Sequence, residues 1–299
     1  MLESIDKKLT DQKSCPICFS CSKLVGSVLT INPKSERIVG LRECLECGHW
    51  WSDPIPTQDL LTNLYNDNSE YVVPAGYYSA MMLASMDQDN PFGEELLRLA
   101  SFYSPKISFT EKNFNYLELG IGSGQLFNFF LKKANISYGI EPGKWVVCDK
   151  QNIVSEIDQL PSNVKFDIII AHDVLEHLTN PTNMIKRLKK SANKGCIFYC
   201  TFPNKDSFKA KILKSKWSMI RPFGHLHYFS ALSVKHLFQK NELEIIELKS
   251  SRAGHLKVMD AIKLFNYHDK HVFYRLIKSL LLGQLLLGKD QWSVIAMYK

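Results

Sequence analysis

Short apolar runs alternate with amphipathic segments along the chain from residue 114 onward. The apolar runs have the length and composition of buried strands, and they read NYLEL, SYGIE, NIVSEI, FDIIIA, CIFYCTF, LEIIELK and WSVIAMY. Helical spacing follows most of them, most clearly in QLFNFFLKKA, PGKWVVCDKQ, PTNMIKRLKKS and ALSVKHLFQKN. Alternating strands and helices are typical of a parallel sheet with crossover helices on both faces. The pattern therefore predicts an α/β domain with a seven-stranded sheet in residues 111–299.

The first 55 residues follow a different pattern, in which two C-x-x-C pairs flank a stretch of strand-forming residues. The four thiols belong to Cys15, Cys18, Cys44 and Cys47. Each pair presents two thiolates from a tight turn, and two such turns supply the tetrahedral sulfur site that zinc prefers. Cys21 and His49 are weaker ligand candidates, and a redox-active pair is the alternative to a metal. We predict a small structural zinc ribbon at residues 1–55.

Two further regions have apolar residues at helical spacing but lie outside the alternating strands and helices of the predicted sheet. Residues 56–110 contain TQDLLTNLYN and GEELLRLASFYS on either side of a tyrosine-rich stretch, which predicts a helical linker or lid. Residues 252–291 form a long insertion between the last two strands and either cover the substrate cleft or form a homodimer contact. Within the insertion, charged residues interrupt VFYRLIKSLLLGQLLLG, which favours a packed amphipathic helix over contact with a membrane surface.

The composition is that of a water-soluble globular protein, with 45% hydrophobic and 22% charged residues among 299. The first thirteen residues lack the apolar segment of a signal peptide, and no uninterrupted apolar stretch approaches the roughly 18–20 residues of a membrane helix. We therefore expect a cytoplasmic protein without a transmembrane segment. A net charge of +7 spread along the chain permits an anionic substrate or nucleic acid without requiring either.

A glycine-rich turn follows the first strand of the predicted sheet, in YLELGIGSGQL. Its chemistry-bearing positions are Glu118, Gly120, Gly122 and Gly124, and the next strand ends at Glu141, where a carboxylate can accept from ribose hydroxyls. Two ligands compete for such a loop, a dinucleotide and an adenosyl cofactor. The dinucleotide fingerprint requires a further glycine that QLFNFF lacks, and Glu118 would repel a pyrophosphate. The pattern favours a cofactor with a cationic amino-acid end.

The motifs E-x-G-x-G-x-G, YGIEPG, FDIIIAHDVLEHL and CTFPN together resemble class I S-adenosylmethionine-dependent methyltransferases over about residues 110–250. The resemblance implies a seven-stranded Rossmann-like sheet that binds S-adenosylmethionine. It also implies that Glu118 and Gly120 to Gly124 flank the methionine part, and that Glu141 holds the ribose. Glu156 would receive the adenine amino group, with Asp158 as the alternative, and Asp173 would border the sulfonium and the substrate.

The ribbon and the segment HLHYFSALSVKHLF sharpen this match to bacterial methyltransferases that carry an N-terminal zinc ribbon. Such enzymes often act in glycan or secondary-metabolite pathways, so the resemblance implies a small-molecule or sugar and glycan-precursor acceptor. RNA methylation is an alternative, but the ribbon lacks a concentrated basic and aromatic surface, which makes nucleic acid an unlikely partner. A non-catalytic scaffold is a third hypothesis, and the intact glycine loop argues against it.

The histidines of GHLHYFS are candidates for the proton-accepting group that methylation of a hydroxyl requires. In an extended segment His225 and His227 share a face, with Tyr228 adjacent, and one of them is predicted to be the base. The alternative is that these imidazoles only cap a helix or tie a lid to the sheet. A histidine base in a loop suits a hydroxyl acceptor, which favours O-methylation over N- or C-methylation.

A second hypothesis assigns a divalent cation to the stretch DVLEH. Asp173, Glu176 and His177 are spaced so that one helical turn gathers them, and His225 or His227 completes an oxygen and nitrogen site. The pattern resembles the E-x-x-E-H motif of metal-dependent quinone O-methyltransferases and small-RNA 2′-O-methyltransferases, with Asp in place of the first Glu. There are two alternatives to a metal site. His177 acts as an acid or base on the substrate, or the segment LEHL is only a packing element. The test is whether these imidazoles converge.

Overall fold

A computed structural model describes residues 9–32, 35–66, 90–110, 112–122, 124–143, 152–251 and 290–299. Almost all of the predicted helix PGKWVVCDKQ and nearly all of the insertion at 252–291 lie outside these ranges. The roles predicted for the insertion, as a cleft cover or a dimer contact, therefore stay predictions.

A mixed seven-stranded sheet forms the centre of the protein and confirms the predicted α/β fold class. Its strands are β6 (Asn115–Leu119), β7 (Ile136–Ile140), β8 (Ile153–Val154), β9 (Phe166–His172), β10 (Ala192–Pro203), β12 (Leu243–Ser251) and β13 (Gln291–Tyr298). They lie in the order β12-β13-β10-β9-β6-β7-β8. The pairs from β10 to β8 are parallel, so the carboxyl ends of these strands meet at one edge of the sheet.

The last strand departs from the predicted parallel arrangement. β13 inserts between β10 and β12 and runs antiparallel to both. Ser251 at the end of β12 pairs with Gln291 at the start of β13. Because the chain leaves β12 and enters β13 at the same edge, the final strand has to run in the opposite direction.

Helices cover both faces of this sheet, as predicted. The α-helices of the described ranges are α1 (Gln58–Asn66), α2 (Pro91–Tyr103), α3 (Gln125–Lys133), α4 (Pro181–Lys189), α5 (Phe208–Leu213) and α6 (Ala231–Lys240). Of these, α5 packs through Ala210 in the core of the N-terminal sheet. Alternate residues of a strand point to opposite faces. In β9, Ile168 and Ile170 belong to the core shared with α2 and α3, whereas Ile169 and Ala171 belong to the core shared with α4 and α6. None of the helices in the described ranges is long and apolar enough to cross a membrane.

The N-terminal region forms a second, four-stranded antiparallel sheet. The hairpin β2 (Ser22–Asn32) and β3 (Ser35–Cys44) is followed by β4 (Trp50–Asp53), and the order is β11-β4-β3-β2. A short pair, β1 (Leu9–Thr10) with β5 (Ile55–Pro56), lies beside it. Strand β11 is His227–Tyr228, which comes from the GHLHYFS segment. The N-terminal sheet is thus completed by residues that follow β10 of the central sheet.

Candidate functional site

The glycine loop lies at the carboxyl edge of the central sheet, between β6 and α3. Gly120, Gly122 and Gly124 all have positive φ, at 73°, 57° and 82°, a conformation that favours glycine. The amide of Gly120 donates to Ile140 O at 2.8 Å, which fixes the loop against β7. A Cβ at Gly120 would lie 2.5 Å from Val174 Cγ2, so the loop also packs directly against the turn after β9.

Glu141 follows β7 and is aimed back at the glycine loop. Its carboxylate accepts from the amide of Gly143 at 2.9 Å and from the amide of Gly122 at 3.3 Å. Burial raises the pKa of this carboxyl, and the two amide donors oppose that effect. The predicted ribose-binding residue and the predicted cofactor loop are therefore in direct contact.

Glu118 is buried near the end of β6. It accepts a hydrogen bond from Tyr116 Oη at 2.7 Å, and the ring of Tyr116 stacks on Phe130 of α3 with centroids 3.9 Å apart. Burial raises the pKa of Glu118 to about 8, the Tyr116 hydroxyl lowers it, and the charge of Glu141 raises it further. A buried carboxyl with a raised pKa is well suited to bind a cationic group, because the cation would stabilise the carboxylate in place of the water that burial removes.

Glu156, the predicted adenine contact, lies just beyond β8. The amide of Glu141 donates to Val154 O at 2.9 Å, so the end of β8 is adjacent to the ribose-binding candidate. Glu156 is exposed, and its backbone amide donates to Gln159 Oε1 at 3.2 Å. The alternative residue, Asp158, forms an ion pair with Arg187 of α4 at 2.6 Å. That pairing leaves Glu156 as the better placed of the two carboxylates.

Asp173 directly follows β9 and adopts a left-handed backbone conformation, with φ 54°. Its carboxylate accepts from Thr201 Oγ1 at 2.6 Å and from Gln291 Nε2 at 2.7 Å, and its amide donates to Thr201 Oγ1 at 3.1 Å. His172 lies beside it, with Nε2 3.8 Å from Asp173 Oδ2. Thr201, Gln291 and His172 were not among the predicted site residues.

Glu176, His177 and His225 converge next to Asp173. One donor atom from each of the three lies within 4.8 Å of the others, and the two imidazole rings are 4.9 Å apart. Leu175–His177 form a single 3₁₀ turn, and Leu226 N donates to Glu176 O at 2.7 Å. Asp173 precedes this turn by two residues in the chain, but it is not part of the group of three donors.

His227 and Tyr228 point elsewhere. His227 is fully buried against His49, with Nδ1 of His227 and Nε2 of His49 3.2 Å apart. The hydroxyl of Tyr228 donates to His225 O at 2.8 Å. Burial lowers the pKa of His227 to about 4, so its imidazole is neutral near pH 7. The expected common face of His225 and His227 is not formed, because Nδ1 of His225 donates to Met219 O whereas the ring of His227 packs against that of His49.

The four predicted zinc ligands form one compact cluster. The Sγ to Sγ distances are 3.7 Å for Cys15 and Cys47, 3.3 Å for Cys18 and Cys44, and 3.5 Å for Cys18 and Cys47. Zinc–sulfur bonds of about 2.3 Å in a tetrahedron place the sulfurs roughly 3.8 Å apart. The donor set and spacing therefore fit a zinc ion.

The weaker ligand candidates lie outside this cluster. Cys21 is exposed and is not part of the group of four thiols. His49 faces His227 instead of the sulfurs. The hydroxyl of Ser230, which caps α6, donates to Cys47 O, so the second cysteine turn also contacts the catalytic half of the chain.

Residues 87–248 match a family model described as a methyltransferase domain. The match spans more than half of the chain, so the chain belongs to this family of methyltransferase domains and is a methyltransferase enzyme. None of the curated proteins matches the sequence.

Solved structures show low overall similarity to this chain. An S-adenosylmethionine-dependent methyltransferase from Clostridium acetobutylicum ATCC 824 is 11% identical, with 75% of this chain and 97% of that one covered and a TM-score of 0.45. One from Mesorhizobium loti is 11% identical, with 71% and 99% covered and a TM-score of 0.45. The N-methyltransferase NodS from Bradyrhizobium japonicum WM9, in complex with S-adenosyl-L-homocysteine, is 14% identical, with 74% and 98% covered and a TM-score of 0.40. Similarity this low says nothing about the acceptor of this chain.

The close contact of Gly120 with Val174 predicts the effect of adding a single methyl group. We expect Gly120→Ala to lower the free energy of unfolding by about 1–2 kcal/mol through the left-handed backbone. The forced shift of Val174 should cost about 1–3 kcal/mol more. Chemical denaturation of Gly120→Ala, Val174→Ala and the double variant separates the two effects, because only the second is relieved when Val174 is shortened. A Gly120→Ala protein as stable as the wild type would contradict this description of the loop.

Proposed function

We propose that this methyltransferase transfers the methyl group of S-adenosylmethionine to a hydroxyl oxygen of a small-molecule or glycan-precursor acceptor. The observation that carries the proposal is the placement of His177 on the turn that packs on the glycine loop: its amide donates to Val174 O at 3.0 Å, and Val174 lies against Gly120. An imidazole near the sulfonium end of the cofactor suits an acceptor that has to lose a proton during transfer.

The cofactor would occupy the edge formed by β6, β7 and β8. The positive φ values of the glycine loop allow close backbone approach to the methionine part. We assign the cationic amino end to Glu118 and the ribose hydroxyls to Glu141, whose orientation is fixed by two amides. Glu156 would accept from the adenine amino group, and Asp173 would border the sulfonium. This assignment is supported by the contact between Gly122 and Glu141.

The acceptor end of the cleft would then be bordered by Asp173 and His177. Of the four histidine and tyrosine candidates, His177 is the one whose side chain is partly exposed, at 25%, while His225 is almost buried and His227 and Tyr228 are fully buried. Its Nδ1 is engaged by Gly224 O at 2.7 Å, which leaves Nε2 for chemistry. We propose that His177 supports deprotonation of the acceptor hydroxyl. His225, whose ring lies 4.9 Å from that of His177, would position the His177 imidazole, and Tyr228, which donates to His225 O, would hold that segment. His227 packs on His49 instead and has no proposed part in the transfer.

The ribbon would hold one structural zinc ion through Cys15, Cys18, Cys44 and Cys47. All four positions of a tetrahedron are filled by protein sulfurs, so no position is open for a substrate. The proposed role is to fix the N-terminal sheet and, through β11, the segment that carries His225.

Binding of S-adenosylmethionine tests the assignment of Glu118. With a pKa of about 8, Glu118 is largely protonated at pH 7 in the free protein, and the cationic ligand should bind the ionised form. Affinity of the wild type should therefore rise by up to about tenfold per pH unit from pH 6 towards about 8 and fall at higher pH, where the amino group of the ligand loses its proton. Calorimetry at pH 7 in two buffers of different ionisation enthalpy should show one proton more released by the wild type than by Glu118→Gln.

The matched control for this test is Glu95→Gln, which removes an exposed carboxylate of α2. The amino group of the ligand titrates equally in all three proteins and cancels in the comparison. Equal proton release from wild type and Glu118→Gln would remove Glu118 from the cofactor site. A wild-type protein without saturable S-adenosylmethionine binding would remove the proposed function.

Transfer of label tests the acceptor class. We expect methyl-labelled S-adenosylmethionine to label hydroxyl groups within a panel of sugar nucleotides and small hydroxylated compounds. His177→Gln should lower kcat by about 10²-fold or more while leaving the affinity for the cofactor unchanged. His236→Gln on α6 is the control, since His236 lies outside the site. Label on nitrogen or carbon, or a normal kcat for His177→Gln, would overturn this part of the proposal.

Metal analysis tests the ribbon. Purified protein should contain one zinc per chain, and Cys44→Ser should lose it. Cys21→Ser should retain it, because Cys21 lies outside the cluster. Zinc-free wild-type protein whose thiols titrate freely would show that the ribbon is not a metal site.

A further inference from the structure

We propose that Glu176, His177 and His225 bind one divalent transition-metal cation at the acceptor end of the cleft. The proposed role of that cation in methyl transfer rests on the proposed function, whereas the binding itself does not. The site is separate from the four cysteines of the ribbon and has a different donor chemistry.

The first argument is the arrangement of the donor atoms. His177 Nε2 lies 4.0 Å from Glu176 Oε1, and the donor atoms of all three residues lie within 4.8 Å of one another. Bonds of about 2.0–2.2 Å from a metal to nitrogen and oxygen place neighbouring donors roughly 3–4 Å apart. The three groups can therefore close on one ion through small side-chain movements.

The second argument is the hydrogen bonding on the far side of each imidazole. His177 Nδ1 donates to Gly224 O at 2.7 Å, and His225 Nδ1 donates to Met219 O at 2.8 Å. Imidazoles that ligate metals commonly donate their other ring nitrogen to a carbonyl in this way, which fixes the tautomer and orients the ring. Both Nε2 lone pairs are consequently left for a ligand, and the two rings meet edge to face with their centroids 4.9 Å apart.

The third argument is the state of Glu176. Its side chain is 1% exposed, and Oε2 has no hydrogen-bond partner among the described residues. A buried carboxyl oxygen without a partner is costly, and such groups in native proteins commonly belong to a functional site or an ion site. A cation held by the two imidazoles would supply the missing partner.

The donor set indicates the kind of cation. One carboxylate and two imidazoles suit Mn²⁺, Fe²⁺, Co²⁺ or Zn²⁺ better than the all-oxygen preference of Mg²⁺ or Ca²⁺. Three protein ligands leave positions open for water and an acceptor oxygen. In that arrangement His177 supports deprotonation through the ion it holds, because a bound cation lowers the pKa of a coordinated hydroxyl group.

The experiment is a titration of zinc-loaded, full-length protein with Mn²⁺, with free Mn²⁺ followed by electron paramagnetic resonance. Wild type should bind one Mn²⁺ per chain. Glu176→Gln and His225→Gln should each weaken that binding by at least about tenfold, and His236→Gln should bind as the wild type does. Affinity for S-adenosylmethionine is measured on the same samples by calorimetry.

Wild-type protein that binds S-adenosylmethionine but no Mn²⁺ would overturn the cation site and leave the proposed function standing. Binding of Mn²⁺ that is unchanged in Glu176→Gln and His225→Gln would also overturn it. If a variant fails to fold, the zinc-loaded wild type is titrated with Co²⁺ and its visible absorption spectrum is recorded. New visible bands without the charge-transfer band of a cysteine thiolate would support the site, and the absence of new bands would reject it.

Discussion

One residue of the GHLHYFS segment joins the two sheets through its backbone. The amide of Leu226 donates to Glu176 O at 2.7 Å, and its carbonyl accepts from Ser52 N at 3.0 Å. Its side chain is fully buried in the core that also contains the cysteines of the ribbon. Because both peptide groups of a buried residue are satisfied across the junction, neither sheet can shift without breaking a buried hydrogen bond. The positions of the neighbouring histidines follow from that constraint.

His225 and His227 lie on either side of this junction and serve different surroundings. His225 meets His177 and Glu176, and His227 meets His49 in the core of the N-terminal half. Thr201 of β10 and Gln291 of β13 both donate to the carboxylate of Asp173. The side chains around Asp173 and His177 therefore come from the turn after β9, from β10 and β13, and from the segment that leads into β11.

The sequence was sufficient to predict those parts of the protein that are encoded locally. The apolar runs predicted all seven strands of the central sheet, and the glycine loop with Glu141 could be inferred from residues some twenty positions apart. The C-x-x-C spacing likewise predicted the cluster of four sulfurs, because each pair is made by one turn. In each case the spacing along the chain already determines the geometry.

The contacts that sequence reasoning missed connect distant positions. Gln291 reaches Asp173 only because β13 runs antiparallel, which the pattern of WSVIAMY does not encode. His49 and His227 are 178 positions apart, and neither carries a local signal of its partner. The shared face expected for His225 and His227 is absent because the two rings have different partners, Met219 O for His225 and His49 for His227. These features arise from tertiary packing and not from local propensity.

The pairing of β11 with β4 has a consequence for the order of folding. Trp50 and Trp51 pair with Glu43 and Arg42 of β3 on one side, and on the other side with Tyr228 and His227 of β11. During synthesis from the N-terminus, β4 therefore presents an unpaired edge until most of the central sheet has left the ribosome. Long-range strand pairing is slow, and an open edge with aromatic residues is prone to association with other chains. The ribbon is thus synthesised before the central sheet but is completed only after strand β10 of that sheet.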